Sequence, residues 1–343
     1  MRPAIPFFAI ACSAGLFLST AAAEKKTDSA RHNAVVNAVQ KTKKGIVAVS
    51  VPRPGGERDL VATGVIVDER GYIITNRHFV GTAREVKVRL ADGKDEKARV
   101  VVADTEWDLA ILRVQGNMTL QPLPLVTADD LMVGESVIVV GHPYGYDYSV
   151  STGIISAVNR RIRMPTGDFF DGLIQTNASV NPGNSGGPVL NIHGEWIGVI
   201  LAFRDGAQGI GFALPAKKVH EFLQKHLSAE RLSGVSHGLR FEANTGDEDT
   251  RTAVVLASSA GASTQAGDVV VAVDNRQVVN AFDVERALWD KTPGQKVELK
   301  IVRKGREITV PLTLAGRGQE RATGSSVTNA TPTAREATRR EPN

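Results

Sequence analysis

The run Gln175-Thr176-Asn177-Ala178-Ser179-Val180-Asn181-Pro182-Gly183-Asn184-Ser185-Gly186-Gly187-Pro188-Val189-Leu190-Asn191 decides how the rest of the chain is read. Glycines at 183, 186 and 187 allow the backbone to fold sharply around Ser185. Nucleophilic chemistry by serine needs a hydroxyl, a base to take its proton, and fixed N–H donors for the oxyanion. The N–H groups of Gly183 and Ser185 are the expected donors, and Gly186 and Gly187 leave room for substrate backbone. Taken alone, the same run also fits a glycine-rich β-turn with an incidental serine.

Upstream, Thr75-Asn76-Arg77-His78 closes one apolar run, and Asp104-Thr105-Glu106-Trp107-Asp108-Leu109-Ala110 opens another. By itself Asp108 would be an ordinary solvated strand-end residue. The other six histidines (32, 142, 193, 220, 226 and 237) lack a comparable setting and are expected at the surface or in loops.

The surrounding texture is mainly β. Short apolar runs at 46–51, 61–67, 72–75, 86–90, 98–102 and 109–114 are separated by Gly, Asn and Asp turn signals, and the pattern continues at 137–141, 173–176, 189–191, 196–203 and 209–214. Closely spaced strands without interposed helices indicate a barrel or a sandwich. A helix over Pro215 to Leu227 ends this region, and a shorter one precedes it, with Asp28-Ser29 as its candidate cap and Val35, Val36 and Val39 on one face. From 233 the strand pattern restarts, with strands at 253–257, 269–274, 297–303 and 308–314 and a helix from Ala281 to Leu288. At 343 residues the chain suits two domains, and its net charge of +4 with no basic stripe interleaved with aromatics gives no support to nucleic-acid binding.

Both ends read differently from the middle. Arg2, the apolar stretch from Phe7 to Leu18 and Ala21-Ala22-Ala23 have the form of a secretory leader over 1–23. The uncharged run from Pro3 to Ala23 is also just long enough for a retained anchor. Cleavage after Ala23 would remove Cys12, the single cysteine, and leave the fold to rest on its core. Residues 317–343 are rich in Gly, Ser, Thr, Ala and Arg with few apolar residues, the composition of a disordered tail.

Several motifs in one order carry a resemblance. Gly64-Val65-Ile66-Val67-Asp68, Thr75-Asn76-Arg77-His78, Asp108-Leu109-Ala110, Gly134-Glu135, Gly141-His142-Pro143-Tyr144-Gly145, Gly153-Ile154-Ile155-Ser156, Gly183-Asn184-Ser185-Gly186-Gly187 and Gly209-Ile210-Gly211-Phe212-Ala213-Leu214-Pro215 closely resemble the HtrA (Deg) family of trypsin-like serine proteases. The resemblance implies a double six-stranded β-barrel over 45–228, after a segment 24–44, and a serine endopeptidase acting through His78, Asp108 and Ser185. It implies an oxyanion hole of Gly183 and Ser185, no cofactor or metal, and a pocket for the residue before the cut lined by Val180, Leu201 and Ala202. No Asp or Glu lies in 178–182, so a small aliphatic residue is expected there. Phe79 stands where the family usually has Val, and Asn177 where it usually has Asp, so contacts of the activation loop are expected to differ.

Gly238-Leu239-Arg240-Phe241, Ala266-Gly267-Asp268-Val269-Val270 and Val278 to Leu288 resemble a PDZ domain over 229–316. Gly238, Leu239 and Arg240 would then form its carboxylate-binding loop for C-terminal peptides, although Ser258 to Gln265 departs from the usual spacing. A small β-rich module without a ligand fits the same residues. The family resemblance further implies export to the periplasm or cell envelope, unfolded or misfolded protein substrates, and a homotrimer. Loop 160–171, with Arg160, Arg161, Arg163, Phe169 and Phe170, would carry PDZ occupancy to the active site. A non-catalytic chaperone and a membrane-tethered signalling protease are the alternatives.

Overall fold

Six strands, Ile46–Val51 (β1), Leu60–Asp68 (β2), Tyr72–Asn76 (β3), Glu85–Arg89 (β4), Asp95–Asp104 (β5) and Leu109–Val114 (β6), close on themselves in the order β1-β2-β3-β6-β5-β4. The closing pair is β1 with β4, in the register Val49↔Val88. Side chains two residues apart share a face of a strand, so Val47 and Val49, Val86 and Val88, and Ala110, Leu112 and Val114 meet inside the barrel. On the opposite face Ile46 and Ile111 are fully buried as well, which is why β1 and β6 read as unbroken apolar runs.

A second set, Ser136–Gly141 (β7), Ser149–Arg163 (β8), Phe169–Thr176 (β9), Pro188–Asn191 (β10), Trp196–Phe203 (β11) and Gly211–Pro215 (β12), closes in the order β10-β11-β12-β9-β8-β7. Its interior holds Val137, Val139, Ile155, Ile174, Val189, Ile197 and Ile200. Trp196 is wholly buried, and its indole N–H donates to the Gly198 carbonyl at 2.8 Å, so the one polar atom of the ring is satisfied. This computed structural model describes residues 31–318 except 54, 56–58, 117, 126–129, 146–147, 164–166, 168, 204–207, 243–252 and 259–262, with backbone only at 202–203, 242 and 253–258. The expected leader and the stretch beyond 318 lie outside the described residues. No helix among the described residues is long and apolar enough to cross a membrane.

The chain divides into two compact units that part between Leu223 and Gln224. In the second unit, Val235–Ser236 (β13) pairs with Ala315–Gly316 (β20), while Leu239–Glu242 (β14), Ala253–Ser258 (β15), Asp268–Val273 (β16), Lys296–Arg303 (β18) and Arg306–Thr313 (β19) form one sheet in the order β14-β15-β16-β18-β19, with Arg276–Gln277 (β17) paired to β16. Val270, Val273, Val297, Leu299 and Ile301 from that sheet are buried, as are Val284 and Leu288 of the helix Ala281–Leu288. Asn280 caps this helix, its side-chain oxygen accepting the Asp283 N–H at 3.0 Å. Trp289 follows directly and donates its indole N–H to the Leu227 carbonyl at 2.9 Å.

Several elements differ from the sequence expectation, each for a local reason. The short helix ahead of the first barrel runs from Ala34 to Thr42 and is capped by Asn33, which accepts the Val36 N–H at 2.9 Å; Asp28 and Ser29 are outside the described residues. Part of the expected loop 160–171 is strand: Arg160 pairs with Leu173, Ile162 with Phe170 and Arg163 with Phe169, so the connection shrinks to 164–168. Strand β8 escapes notice because most of its fifteen residues stay partly exposed, leaving no continuous apolar run. The Arg161 guanidinium lies 4.5 Å from the Phe169 ring centroid, a cation–π contact at the end of this hairpin. Of the remaining histidines, His220 departs from the expectation, being buried in the helix Ala216–His226; His142 and His237 lie in loops, His142 buried and His237 half-buried against Glu285, its Nε2 3.1 Å from Oε1.

The turn into β16 is tied by one ion pair. Arg303 Nε and Nη2 each lie 2.7 Å from an Asp268 carboxylate oxygen, and the Gln265 N–H donates to the same carboxylate at 2.8 Å. The Arg303 guanidinium, helped by that N–H, holds the Asp268 carboxyl below the ordinary carboxylate range. A carboxylate whose acidity is raised by folding stabilises the fold above the unfolded value, about pH 3.9, and loses that contribution as pH falls through its folded value. Asp268→Asn is therefore expected to lower stability at pH 7 and to flatten the loss of stability on acidification. Chemical denaturation at pH 7 and pH 3 checks both; an unchanged acid-side slope would refute the assignment.

Candidate active site

His78 sits one residue into the short helix Arg77–Val80 that follows β3, and Asp108 sits at the mouth of β6. The pairing Asn76↔Leu109 between those strands brings their ends together. Asp108 adopts φ 50, a conformation rare outside glycine, at the end of a turn in which the Asp104 carboxylate accepts the Glu106 and Trp107 N–H groups. The strained residue is held from both sides. Its carbonyl accepts from the Arg77 N–H at 2.9 Å and from Asn76 Nδ2 at 3.2 Å, and its Oδ1 accepts the His78 N–H at 2.9 Å. Its Oδ2 lies 2.5 Å from His78 Nδ1.

Exposure separates the two roles. Asp108 is 6% exposed, whereas the His78 side chain is 45% exposed. An ionised carboxylate can only accept, so Nδ1 carries the proton in this pair, and Nε2 is left with its lone pair toward the open side. Phe79 packs into the barrel core beside this turn.

Ser185 arrives from the second barrel, on the turn before β10. Two glycines make that turn possible. Gly183 has φ 105, and a Cβ there would lie 2.4 Å from the His142 carbonyl oxygen; Gly186 has φ 80, and a Cβ there would lie 2.3 Å from the Thr63 carbonyl oxygen. The Ser185 carbonyl accepts the Thr63 N–H at 3.0 Å, and the Thr75 hydroxyl donates to the Thr63 carbonyl at 2.8 Å. Ser185 is thereby anchored to β2 and to the end of β3, three residues before His78. Among the described residues no hydrogen bond joins the Ser185 hydroxyl to His78.

The peptides on either side of Gly183 are each pinned. Tyr144 N–H donates to the Pro182 carbonyl at 2.8 Å, and in a trans peptide the Gly183 N–H must then point the opposite way. The Gly183 carbonyl accepts from the Thr63 hydroxyl at 2.7 Å, while the Asn184 N–H donates to Asn181 at 3.0 Å. Neither the Gly183 nor the Ser185 N–H has an acceptor among the described residues.

The other expected site residues are placed as follows. Val180 is partly buried against the second barrel's core and lies beside Gly211. Leu201 is 1% exposed; it is the extra residue of a β-bulge in β11, where Ile200 pairs with Ala213 and Ala202 with Phe212. The side chain of Ala202 is outside the described residues. Asn177 is exposed and accepts the Ile154 N–H through Oδ1 at 2.8 Å, a task that needs an acceptor and no charge.

In the second unit Gly238 has φ 64, Leu239 is buried and Arg240 is exposed. Strand β14 lies at the end of its sheet, with β15 as its one neighbour among the described strands. The Leu239 N–H donates to His237 Nδ1 at 3.0 Å, and Glu285 holds the other ring nitrogen while accepting the Ala229 N–H at 2.7 Å. Sequence reasoning missed His237 and Glu285, because a single His and a single Glu forty-eight positions apart carry no joint signal. It also missed Thr63, one hydroxyl inside an apolar strand. No group of residues suited to a metal ion occurs among the described residues.

A trypsin-like peptidase domain model matches residues 62–199, and a PDZ domain model matches 238–314. A probable periplasmic serine endoprotease DegP-like of Halomonas elongata is 37% identical over 288 residues, covering 77% of this chain and 59% of its own. The periplasmic serine endoprotease DegP of Escherichia coli K12 is 31% identical over 287 residues, 78% of this chain and 60% of that protein. The chain thus spans about six-tenths of the length of these curated relatives. Among solved structures, the HtrA-type protease AlgW with a tripeptide superposes at a TM-score of 0.52 and 27% identity, over 82% of this chain and 97% of that one.

Gly186→Ala tests the packing of the Ser185 turn directly. Overpacking against the Thr63 carbonyl, with a side chain forced to positive φ, is expected to destabilise the protein by about 3 kcal/mol. Thermal or urea denaturation measures it, and a variant as stable as the parent would contradict the geometry.

Proposed function

Because this chain belongs to the HtrA (Deg) group of trypsin-like peptidases that carry a PDZ domain, we propose that it is a serine endopeptidase whose nucleophile is Ser185. The observation that carries the proposal is the buried Asp108 carboxylate against His78 Nδ1, which leaves Nε2 as the free base. In the proposed reaction Nε2 takes the Ser185 proton as Oγ attacks the scissile carbonyl. The Gly183 and Ser185 N–H groups receive the oxyanion, and the imidazolium then gives its proton to the leaving amine. Water repeats the sequence on the acyl-enzyme, returning Ser185 to its starting state. Asp108 fixes the tautomer and stabilises the imidazolium throughout.

The substrates we assign are unfolded or misfolded proteins, cut after a small aliphatic residue, with Val180 and the β11 backbone around Leu201 and Ala202 forming the pocket. Supporting this choice, Val180 is partly buried beside Gly211, and the segment 178–182 that carries it contains no Asp or Glu to attract Lys or Arg. The chain acts after export to the periplasm or cell envelope, the compartment in the names of its relatives, and as a homotrimer. The PDZ domain takes C-terminal peptides by strand addition to the side of β14 away from β15, which no other described strand covers, with Gly238, Leu239 and Arg240 around the carboxylate. Such a peptide would have to take the Leu239 N–H away from His237.

Cleavage of casein or another unfolded protein tests the enzyme reading. Ser185→Ala is expected to lose activity by about 10⁶-fold and Asp108→Asn by about 10⁴-fold; activity retained in Ser185→Ala would refute it. A peptide library should show cuts after Val, Ile or Ala, faster when a C-terminal peptide is added. Cuts after Lys or Arg would overturn the pocket, and a rate indifferent to the peptide would overturn the PDZ role.

A further inference from the structure

The hydroxyl of Thr63 lies where the two barrels meet. Thr63 is fully buried in β2, and its side chain touches the second barrel twice. Its Oγ1 donates to the Gly183 carbonyl at 2.7 Å and accepts the His142 N–H at 3.0 Å. Its backbone N–H donates to Ser185 and its carbonyl accepts from the Thr75 hydroxyl. One residue of the barrel that holds the base thus grips the turn that holds the nucleophile on both sides of Asn184.

The chemistry of that grip is specific to a hydroxyl. A hydroxyl donates one hydrogen bond and accepts others, and Thr63 uses both capacities, toward a carbonyl and toward an N–H. Valine has the same shape and can do neither. With the hydroxyl removed, the bonds to the Gly183 carbonyl and from the His142 N–H are lost in a buried site, and the plane of the peptide between Gly183 and Asn184 is left to the Asn184 N–H bond to Asn181 alone. Rotation of that peptide swings the neighbouring N–H of Ser185 and loosens Gly183, whose own N–H is set by the Tyr144–Pro182 bond on its other side.

We propose that Thr63 is a positioning residue for the oxyanion hole, acting through the Gly183 carbonyl. This rests on the serine-peptidase reading above. Thr63 touches no reacting atom; it holds two N–H donors where the developing negative charge will need them. Its loss should therefore fall on the transition state and spare ground-state binding.

The experiment compares Thr63→Val, Thr63→Ser, Ser185→Ala and the parent chain on a fluorogenic peptide with valine before the cut. Two inhibitors are added: a peptide aldehyde ending in valine, whose Ser185 adduct puts an oxygen in the oxyanion position, and the corresponding peptide acid. Loss of one oxyanion donor elsewhere costs about 10²–10³ in kcat, and a misplaced donor should cost less. Thr63→Val is expected to lower kcat about 10- to 100-fold with KM within about twofold. Aldehyde affinity should fall by the same factor as kcat, and peptide-acid affinity should hold. Thr63→Ser, which keeps both bonds, should restore kcat to within about threefold. Parent-like kcat in Thr63→Val overturns the proposal, and so does a fall in kcat without a matching loss of aldehyde affinity. If Thr63→Val does not fold, Thr63→Ser decides alone: a folded serine variant with parent-like kcat and aldehyde affinity supports the role, and one that loses both overturns it. Activity in Ser185→Ala would instead sink the peptidase reading itself.

Discussion

Everything in the candidate site depends on two closed barrels meeting at one buried residue. Closure makes each barrel a rigid body, since every edge strand finds a partner and no free edge remains to slip. Rigid bodies do not align their loops by themselves. The bonds from Thr63 do so, drawing the Ser185 turn of the second barrel onto β2 of the first, while Thr75 ties β2 to the end of β3. Remove those bonds and the residues would still be present, but the Ser185 turn would lose its polar ties to the first barrel and be held to it by packing alone.

Within that frame the polar groups are matched to local needs. Asp108 tolerates a left-handed backbone because its carbonyl and both carboxylate oxygens are all engaged. Strain of this kind is of order 1–3 kcal/mol and survives where the surroundings over-determine it. Asn177 does the work of an acceptor without a charge. The glycines at 183 and 186 are needed for the opposite reason, because backbone oxygens already fill the space a side chain would take.

Much of the fold was legible because barrel strands are short, apolar and separated by turn chemistry. Residues 46–51, 72–76 and 109–114 announce themselves in this way. Strand β8 did not, since Ile155 is its one buried side chain, the rest are partly buried or exposed, and its Asn159-Arg160-Arg161 segment looks like a loop. The His78, Asp108 and Ser185 positions were legible through their flanking motifs, whereas Thr63, His237 and Glu285 were not. Their meaning lies in what tertiary structure puts opposite them, and a single hydroxyl in a Val-rich strand carries no local sign of a distant carbonyl. The bulge at Leu201 is hidden for the same reason: it is a property of the register between two strands.

Each barrel is also continuous in sequence, 46–114 for the first and 136–215 for the second. The base and its carboxylate belong wholly to the first, and the serine to the second. Under the proposed reaction, a chain that has closed only its leading barrel would have a base and no nucleophile. Hydrolytic capability would arise last, when both halves are complete and docked. For a protein whose proposed substrates are unfolded polypeptides, that order of assembly would keep half-made copies from digesting one another.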